Sequence, residues 1–439
     1  MTIATMNPPS VLAHRKSLML RVHFWAALLA SPFTLIAVLT GILYIFTPQI
    51  ERSLYGHLEK VQPTGHRHSV DKIIANTPVP DGLILRSVEP AYAIDDSVKL
   101  RFAAAHNQHA DQHAGHHPAQ AITVYVDPYR LTVLGELADD ARFKEWATNL
   151  HSRLLQTDNW RWMIELAASW LLVMLLTGVY LWWPRGNSSG LPQTKAQGRN
   201  AWKQWHAFLG VACSVISIVI ILTGITWSKY AGEQVRAMRD ITGQNSPRMP
   251  HKLRSIPGET KLSWQDILER TRQQAPDVAV QLQAPRNAEG VWRVSAIDRS
   301  QPTKRFDLAL DAYSGKTLYY SNWDELSAFG KATAVGIPFH RGEFGWWNQA
   351  LLLVFGVVLL FSLISGWVMF FKRSADHPKQ ASLSLAFLPR LLPGAWRALP
   401  WSAYLFAGLL CLLMPLLAVS AALLLVLEIA LGRRMAASS

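Results

Sequence analysis

The sequence predicts an α-helical integral membrane protein with small α+β modules outside the bilayer, built as a tandem repeat of a two-span unit. Three observations carry this. Half of the residues are hydrophobic and only 17% are charged, and the apolar residues are gathered into long runs. Short stretches of helical or alternating pattern lie between those runs. A set of ordered landmarks in the first half of the chain recurs in the second. A disordered chain would be poor in apolar residues and rich in charge. The formal charge of +13, from 43 basic and 30 acidic residues, gives no nucleic-acid signature, because the basic residues flank apolar runs and form no separate basic domain.

Four runs carry no ionised side chain: Phe24–Phe46 (23 residues), Leu166–Trp183 (18), Ala207–Trp227 (21) and Ala350–Phe371 (22). Each is near the roughly 20 residues a helix needs to cross a bilayer core. The first is too long and too far along the chain for a cleaved signal peptide, and no small-residue cleavage site follows it. Trp25, Trp182, Trp183, Trp227, Trp346 and Trp347 sit at the run ends, as interfacial belts do. A fifth run, Trp401–Leu427, holds Pro415 in its middle and reads either as one kinked span or as a shallow hairpin.

Loop charge sets the orientation. Arg15, Lys16 and Arg21 precede the first run; Arg185, Lys195, Arg199 and Lys203 follow the second; Lys372, Arg373 and Lys379 follow the fourth. The positive-inside rule assigns all three segments to the cytoplasm. The expected order is a cytoplasmic N-terminus (1–22), a first span (23–47), an outer module (48–162), a second span (163–183), a cytoplasmic loop (184–205), a third span (206–227), a second outer module (228–345), a fourth span (346–371), a cytoplasmic linker (372–400) and the C-terminal run (401–431). Cys213 and Cys411 both lie inside apolar runs, so no disulfide framework holds the outer modules and both read as small buried hydrophobes.

The repeat has an offset of 183–189 residues. His23 precedes Thr40-Gly41 as His206 precedes Thr223-Gly224. His151 precedes Thr177-Gly178 as His340 precedes Ser365-Gly366. Val126-Asp127-Pro128-Tyr129 matches Leu310-Asp311-Ala312-Tyr313. Each half contains two spans, so both enter the membrane the same way round, with a pseudo-two-fold axis along the membrane normal. Within the outer modules, 72–76 and 263–272 read as short amphipathic helices, and 98–102, 121–126 and 305–310 alternate as half-buried strands. Turns at Asp127 and Asp311 lead into return strands at 131–134 and 316–320.

Such an axis sets His23 opposite His206 at the cytoplasmic mouths of their spans, and His151 opposite His340 at the outer face. An opposed imidazole pair between helices suits haem iron, which takes axial ligands along one line. Gly41, Gly178, Gly224 and Gly366 supply small positions where a flat ring and a backbone can approach. No Cys-x-x-Cys-His motif occurs, so two b haems are expected rather than a covalent c type. Zinc is the competitor; it favours four tetrahedral ligands, often with Cys or carboxylate among them, and suits two His per face less well. Two haems set inward from the faces of a core about 30 Å thick would lie on the order of 15–20 Å apart, within tunnelling range. A further tract, His106, His109, His113, His116 and His117, has the composition of a loose metal-binding segment or of a solvated loop. It has no counterpart in the second half.

These residues resemble a family. Arg21-Val22-His23-Phe24-Trp25, Leu39-Thr40-Gly41, Leu150-His151, Leu176-Thr177-Gly178 through Trp182-Trp183-Pro184-Arg185, Trp205-His206 and Phe339-His340-Arg341-Gly342-Glu343 are similar to the motifs of PepSY-associated transmembrane proteins, iron-regulated inner-membrane proteins of Gram-negative bacteria. The resemblance covers roughly residues 14–375, and the Asp127 and Asp311 turns look like those of PepSY modules. Members with an assigned role include ferric-siderophore reductases, which bind haem and reduce chelated iron in the periplasm. The resemblance therefore implies a multi-pass inner-membrane haem oxidoreductase of iron uptake, with its large loops periplasmic and a ferric siderophore as substrate. No Gly-x-Gly-x-x-Gly fingerprint is present, so the electron donor is expected to be a separate cytoplasmic reductase or a quinol. Arg341, beside a proposed ligand, is the one candidate substrate contact. A siderophore or metal transporter, and a non-catalytic sensor using the outer modules, are the rival readings.

Overall fold

The computed structural model describes residues 10–104, 121–183, 190–375 and 388–437. The chain divides into two units. One comprises residues 1–43, 149–242 and 350–439 and is helical; the other comprises residues 44–148 and 243–349 and is built on a sheet.

The helical unit begins with α1 (Val11–Ile45). At 1.5 Å per residue its 35 residues span about 50 Å, more than a bilayer core. After the sheet unit's first segment come the end of α4 (Phe143–Arg153), then α5 (Trp162–Trp182), α6 (Gly198–Ala212), α7 (Ser214–Ile225) and α8 (Tyr230–Ile241). The unit closes with α11 (Trp346–Ala375), α12 (Trp401–Leu413) and α13 (Pro415–Ala437). Among the described residues, four helical stretches are long and apolar enough to cross a bilayer: Val11–Ile45, Asp158–Trp182, Trp346–Arg373 and Pro415–Arg433. The core of this unit packs Ala26, Ala30 and Val38 of α1 against Leu166, Trp170 and Met174 of α5, Ile221 and Ile225 of α7, and Leu359 of α11.

Two runs differ from their simplest reading. The third, expected as one span over 206–227, is the pair α6–α7, bent by 59°. Cys213 at the break has φ −95° and ψ 1°, outside the helical well. Ser214 Oγ donates to Val211 O (2.8 Å) and Ser217 Oγ to Cys213 O (2.7 Å), which supplies partners for carbonyls at the bend. The C-terminal run is likewise two helices. Pro415 lacks an N–H and drives the preceding Met414 out of the α region, to φ −126° and ψ 84°. Of the two, α13 alone has the length of a span.

One buried carboxylate also shapes this unit. Glu165 on α5 is 1% exposed and accepts the N–H groups of Tyr230 (2.8 Å) and Ala231 (2.9 Å). It therefore occupies the N-terminus of α8, where free N–H groups and the helix dipole favour a negative charge.

In the sheet unit, α2 (Thr47–Glu59) and α3 (Val70–Ala75) precede β1 (Leu83–Glu89), β2 (Val98–Ala104), β3 (Ile122–Val126) and β4 (Val133–Ala138). The second segment supplies α9 (Trp264–Gln274), β5 (Val280–Gln283), β6 (Trp292–Ala296), β7 (Phe306–Leu310), β8 (Thr317–Asn322) and α10 (Ala328–His340). From sequence the two segments read as separate modules. Their strands instead join one antiparallel sheet, ordered β4-β3-β2-β1-β5-β6-β7-β8. The joint is β1 against β5, with Ser87 opposite Gln283 and Val88 opposite Leu282. Pairing these strands removes two exposed edges that would otherwise invite association.

Alternation fixes which face is buried. Val98, Leu100 and Phe102, Val124 and Val126, Val280 and Leu282, Trp292 and Val294, and Phe306, Leu308 and Leu310 share one core with Val70, Ile73, Ile267 and Leu268 of α3 and α9. The helices are tied across the two segments: Asp71 accepts from Trp264 N and Gln265 N (both 3.1 Å), and Gln265 Oε1 accepts from Val70 N (3.0 Å).

The two Asp turns have matching bonds. Asp127 Oδ1 accepts from Tyr129 N (2.8 Å) and Arg130 N (3.1 Å); Asp311 Oδ1 accepts from Tyr313 N (3.0 Å) and Ser314 N (2.8 Å). The second turn relies on Gly315 at φ +68°, while in the first Leu131 takes φ 59°, a region disfavoured for a side chain.

Candidate functional site

His23 lies on α1 and His206 on α6. Their ring centroids are 6.3 Å apart, with the planes at 87°. His23 Nδ1 is 3.0 Å from Thr177 Oγ1 on α5. That hydroxyl already donates to Val173 O at 2.7 Å, the usual outlet for a Thr hydroxyl inside an apolar helix. With its proton committed there, Oγ1 accepts from the imidazole, which assigns the His23 proton to Nδ1 and leaves Nε2 as the bare nitrogen. His206 repeats the arrangement. Its Nδ1 is 2.8 Å from Ser365 Oγ on α11, and Ser365 Oγ lies 3.0 Å from Ser362 O, to which it donates. Trp202 of α6 stacks on Phe361 of α11 with centroids 5.8 Å apart and planes at 20°, joining the same two helices.

This geometry fits a metal held between the two rings. Imidazoles on opposite sides of one metal, each about 2 Å from it, have ring centres roughly 6 Å apart. A ligating imidazole characteristically gives its other N–H to a fixed acceptor, which orients the ring and raises its basicity. His23 and His206 meet both conditions in centroid spacing and in the hydroxyl partner of each Nδ1, so these two residues would hold a haem iron, which would supply one-electron chemistry there.

His151, at the end of α4, has the same local arrangement within the helical unit. Its Nδ1 is 2.9 Å from Thr40 Oγ1 on α1, and Thr40 Oγ1 donates to Ile36 O at 2.8 Å. The fourth hydroxyl of the set, Thr223 on α7, donates to Val219 O at 2.9 Å.

The glycines are revealing. A Cβ on Gly178 would stand 3.4 Å from His23 Cε1, and one on Gly41 would stand 3.3 Å from His151 Cε1. These two positions make room for the imidazoles themselves. A Cβ on Gly366 would meet nothing within 4 Å; Gly224 lies on α7.

His340 closes α10 in the sheet unit. The turn after it is held by Asn348, which is fully buried, donates from Nδ2 to Phe339 O (3.0 Å) and accepts from Phe344 N (3.2 Å). Arg341 Nε donates to Tyr44 Oη at 2.8 Å and lies 3.2 Å from Glu343 Oε1; its guanidinium carbon stands 5.7 Å from the centre of the Tyr44 ring. Lys144 Nζ reaches Glu343 Oε1 at 3.6 Å. Burial, and then the neighbouring Arg341 charge, lower the Lys144 ammonium below the usual lysine range. The candidate substrate contact Arg341 is thus one member of a cluster of four side chains.

His106, His109, His113, His116 and His117 lie outside the described residues. Thr40, Thr177 and Ser365 stand out in the sequence as landmarks of a repeat, but their role as imidazole acceptors appears only in the structure. The available signal was their recurrence, one residue before each glycine, in step with the histidines.

A family model described as the PepSY-associated TM region matches residues 20–373. No curated protein matches the chain.

Proposed function

Since the chain belongs to the PepSY-associated transmembrane family, we propose that it is a di-haem b electron-transfer protein of the bacterial inner membrane that reduces Fe(III) in ferric siderophores on the periplasmic side. The observation that carries this reading is the facing pair His23 and His206, with centroids 6.3 Å apart and each Nδ1 held by a hydroxyl. With Thr177 and Ser365 accepting from Nδ1, both rings on this reading offer Nε2 to the iron. Gly178 leaves space beside the His23 ring.

The second pair, His151 and His340, is assigned by the sequence repeat. Thr40 and Gly41 support it by surrounding His151 as Thr177 and Gly178 surround His23. A tandem duplication with its axis along the membrane normal accounts for that recurrence, for the matching Asp127 and Asp311 turns, and for a sheet whose two halves each run through four successive strands. The two halves of the sheet correspond on this reading to PepSY-like modules.

When bound, the haems supply one-electron transfer across the bilayer. The substrate logic is ligand hardness: oxygen chelators hold Fe(III) far more strongly than Fe(II), so Fe(III) plus one electron gives an Fe(II) that the chelator releases. The electron comes from a cytoplasmic reductant or a membrane quinol. Arg341, next in sequence to the proposed outer ligand His340, contacts Tyr44 and Glu343, and Lys144 reaches the same Glu343.

The test is spectroscopic. The purified protein is expected to be red, with reduced b-type bands and about two haems per chain. His23→Ala and His206→Ala should remove one haem and His151→Ala and His340→Ala the other. Loss of the same haem from His23→Ala and His151→Ala sinks the pairing, and a colourless protein from iron-replete cells sinks the whole reading.

One observation favours a second reading, a siderophore or metal transporter: the 59° break between α6 and α7, since interrupted helices often form transporter sites. Uptake into vesicles by haem-free protein would select it.

A further inference from the structure

The helices α12 and α13 follow the family-matched residues 20–373, and α13 makes polar contacts within the helical unit through Glu428 and Ser420. Glu428 accepts Nε and Nη2 of Arg21 at 2.6 and 3.0 Å, and also the indole N–H of Trp25. Arg21 Nη1 donates to Pro389 O at 2.8 Å. The paired side chains are 13% and 19% exposed. Arg21 and Trp25 stand two residues before and two residues after His23, so one carboxylate engages both flanks of that residue. On α13, Ser420 accepts the indole N–H of Trp170 at 2.9 Å. Trp170 belongs to α5, the helix whose Thr177 holds the His23 ring.

We infer that Glu428 is a positioning residue for the His23 site, acting through Arg21 and Trp25. This rests on the haem reading of that site. Ionised groups among apolar helices are costly, and are retained where they are paired and do something packing cannot. A two-pronged guanidinium–carboxylate bond fixes direction as well as distance. Anchored to α13, it sets the rotation of α1 about its axis and with it the direction of the imidazole. It also cancels the charge of Arg21. Without Glu428, that cation stands uncompensated near the proposed haem and favours the reduced, less positive iron.

The experiment is Glu428→Gln in the full-length chain, purified in detergent, with the midpoint potential of each haem measured by titration. The expected result is that one haem becomes easier to reduce, its reduced-to-oxidised ratio at a fixed potential rising up to tenfold, or about 59 mV for a one-electron couple. It should be the haem that His23→Ala removes. The double variant R21Q/E428Q should return much of the shift, because the lone cation is gone. A folded E428Q with both potentials unchanged, or both moved alike, overturns the proposal. If E428Q does not fold, E428D carries the same comparison with a smaller shift in the same direction. If the protein holds no haem, the haem reading has failed separately. Melting of the haem-free R21Q, E428Q and double variants then decides: overlapping losses support the anchor, and additive losses overturn it.

Discussion

Replacing Thr177 with Val removes one hydroxyl and almost nothing else. In the native chain that oxygen donates to Val173 O at 2.7 Å and accepts from His23 Nδ1 at 3.0 Å, at a residue only 7% exposed. The Val173 carbonyl keeps its helical partner, so the loss falls on the imidazole. The ring keeps a backbone bond to Met174, so the cost of about 1–3 kcal/mol for a buried N–H left without an acceptor is the ceiling here. At roughly 1.4 kcal/mol per factor of ten that range is about 5- to 140-fold in haem affinity at one site, and it brackets the roughly 10- to 100-fold loss expected when a ligating His loses its second partner. The ring is also released to carry its proton on Nε2, which removes the donor nitrogen. The assay is titration of haem into the stripped protein, following the low-spin b spectrum. T177V should bind one haem normally and the other 10- to 100-fold more weakly, while T177S, which keeps the hydroxyl, should restore both. Unchanged binding by T177V, or equal damage from T177S, refutes the tautomer argument.

Four further outcomes are expected. Thr40→Val should weaken the haem that Thr177→Val spares, because Thr40 serves His151; difference spectra of the two variants distinguish the sites. Gly178→Leu should lower the content of the haem lost in His23→Ala, since even a Cβ there would sit 3.4 Å from the ring and a longer side chain must displace it. Glu165→Ala should cost on the order of 3 kcal/mol in thermal unfolding, by stranding the Tyr230 and Ala231 N–H groups at the start of α8. At Asp311 burial alone would raise the carboxyl, but the N–H groups of Ser314, Ile256 and Tyr313 and the Ser314 hydroxyl outweigh it and hold it at about 2, below the ordinary 3.8. A depressed folded-state value means that this stabilisation is present above pH 3.8 and is lost as pH falls through 2. Melting temperature measured across that window should fall less steeply in Asp311→Asn.

How much of this was legible follows from how local each signal is. The helical stretches Val11–Ile45, Asp158–Trp182 and Trp346–Arg373 follow from apolar runs, and a run is read one residue after the next. The strand pattern of 305–310 and the Asp311 turn also lie within a few residues, and both appear where expected, as β7 and its following turn. The break at Cys213 was less visible, because it depends on Ser214 and Ser217 taking up carbonyls, which their side chains permit but do not compel. Pro415 announced a break, but whether one helix beyond it had the length of a span depended on where the helix restarts.

The sequence by itself determined that the chain enters a membrane and that four histidines recur in step with Thr/Ser-Gly dipeptides, since both are properties of order and spacing along one chain. Only the tertiary structure decided which partner each imidazole meets. His23 is served by Thr177, His206 by Ser365 and His151 by Thr40, at separations of 154, 159 and 111 residues. It likewise decided that β1 pairs with β5 and that Glu428 reaches Arg21, 407 residues away. The physical reason is that hydropathy and helix periodicity act over one or two turns, whereas a hydrogen bond between elements depends on how separately formed surfaces pack, and many packings are compatible with the same local pattern.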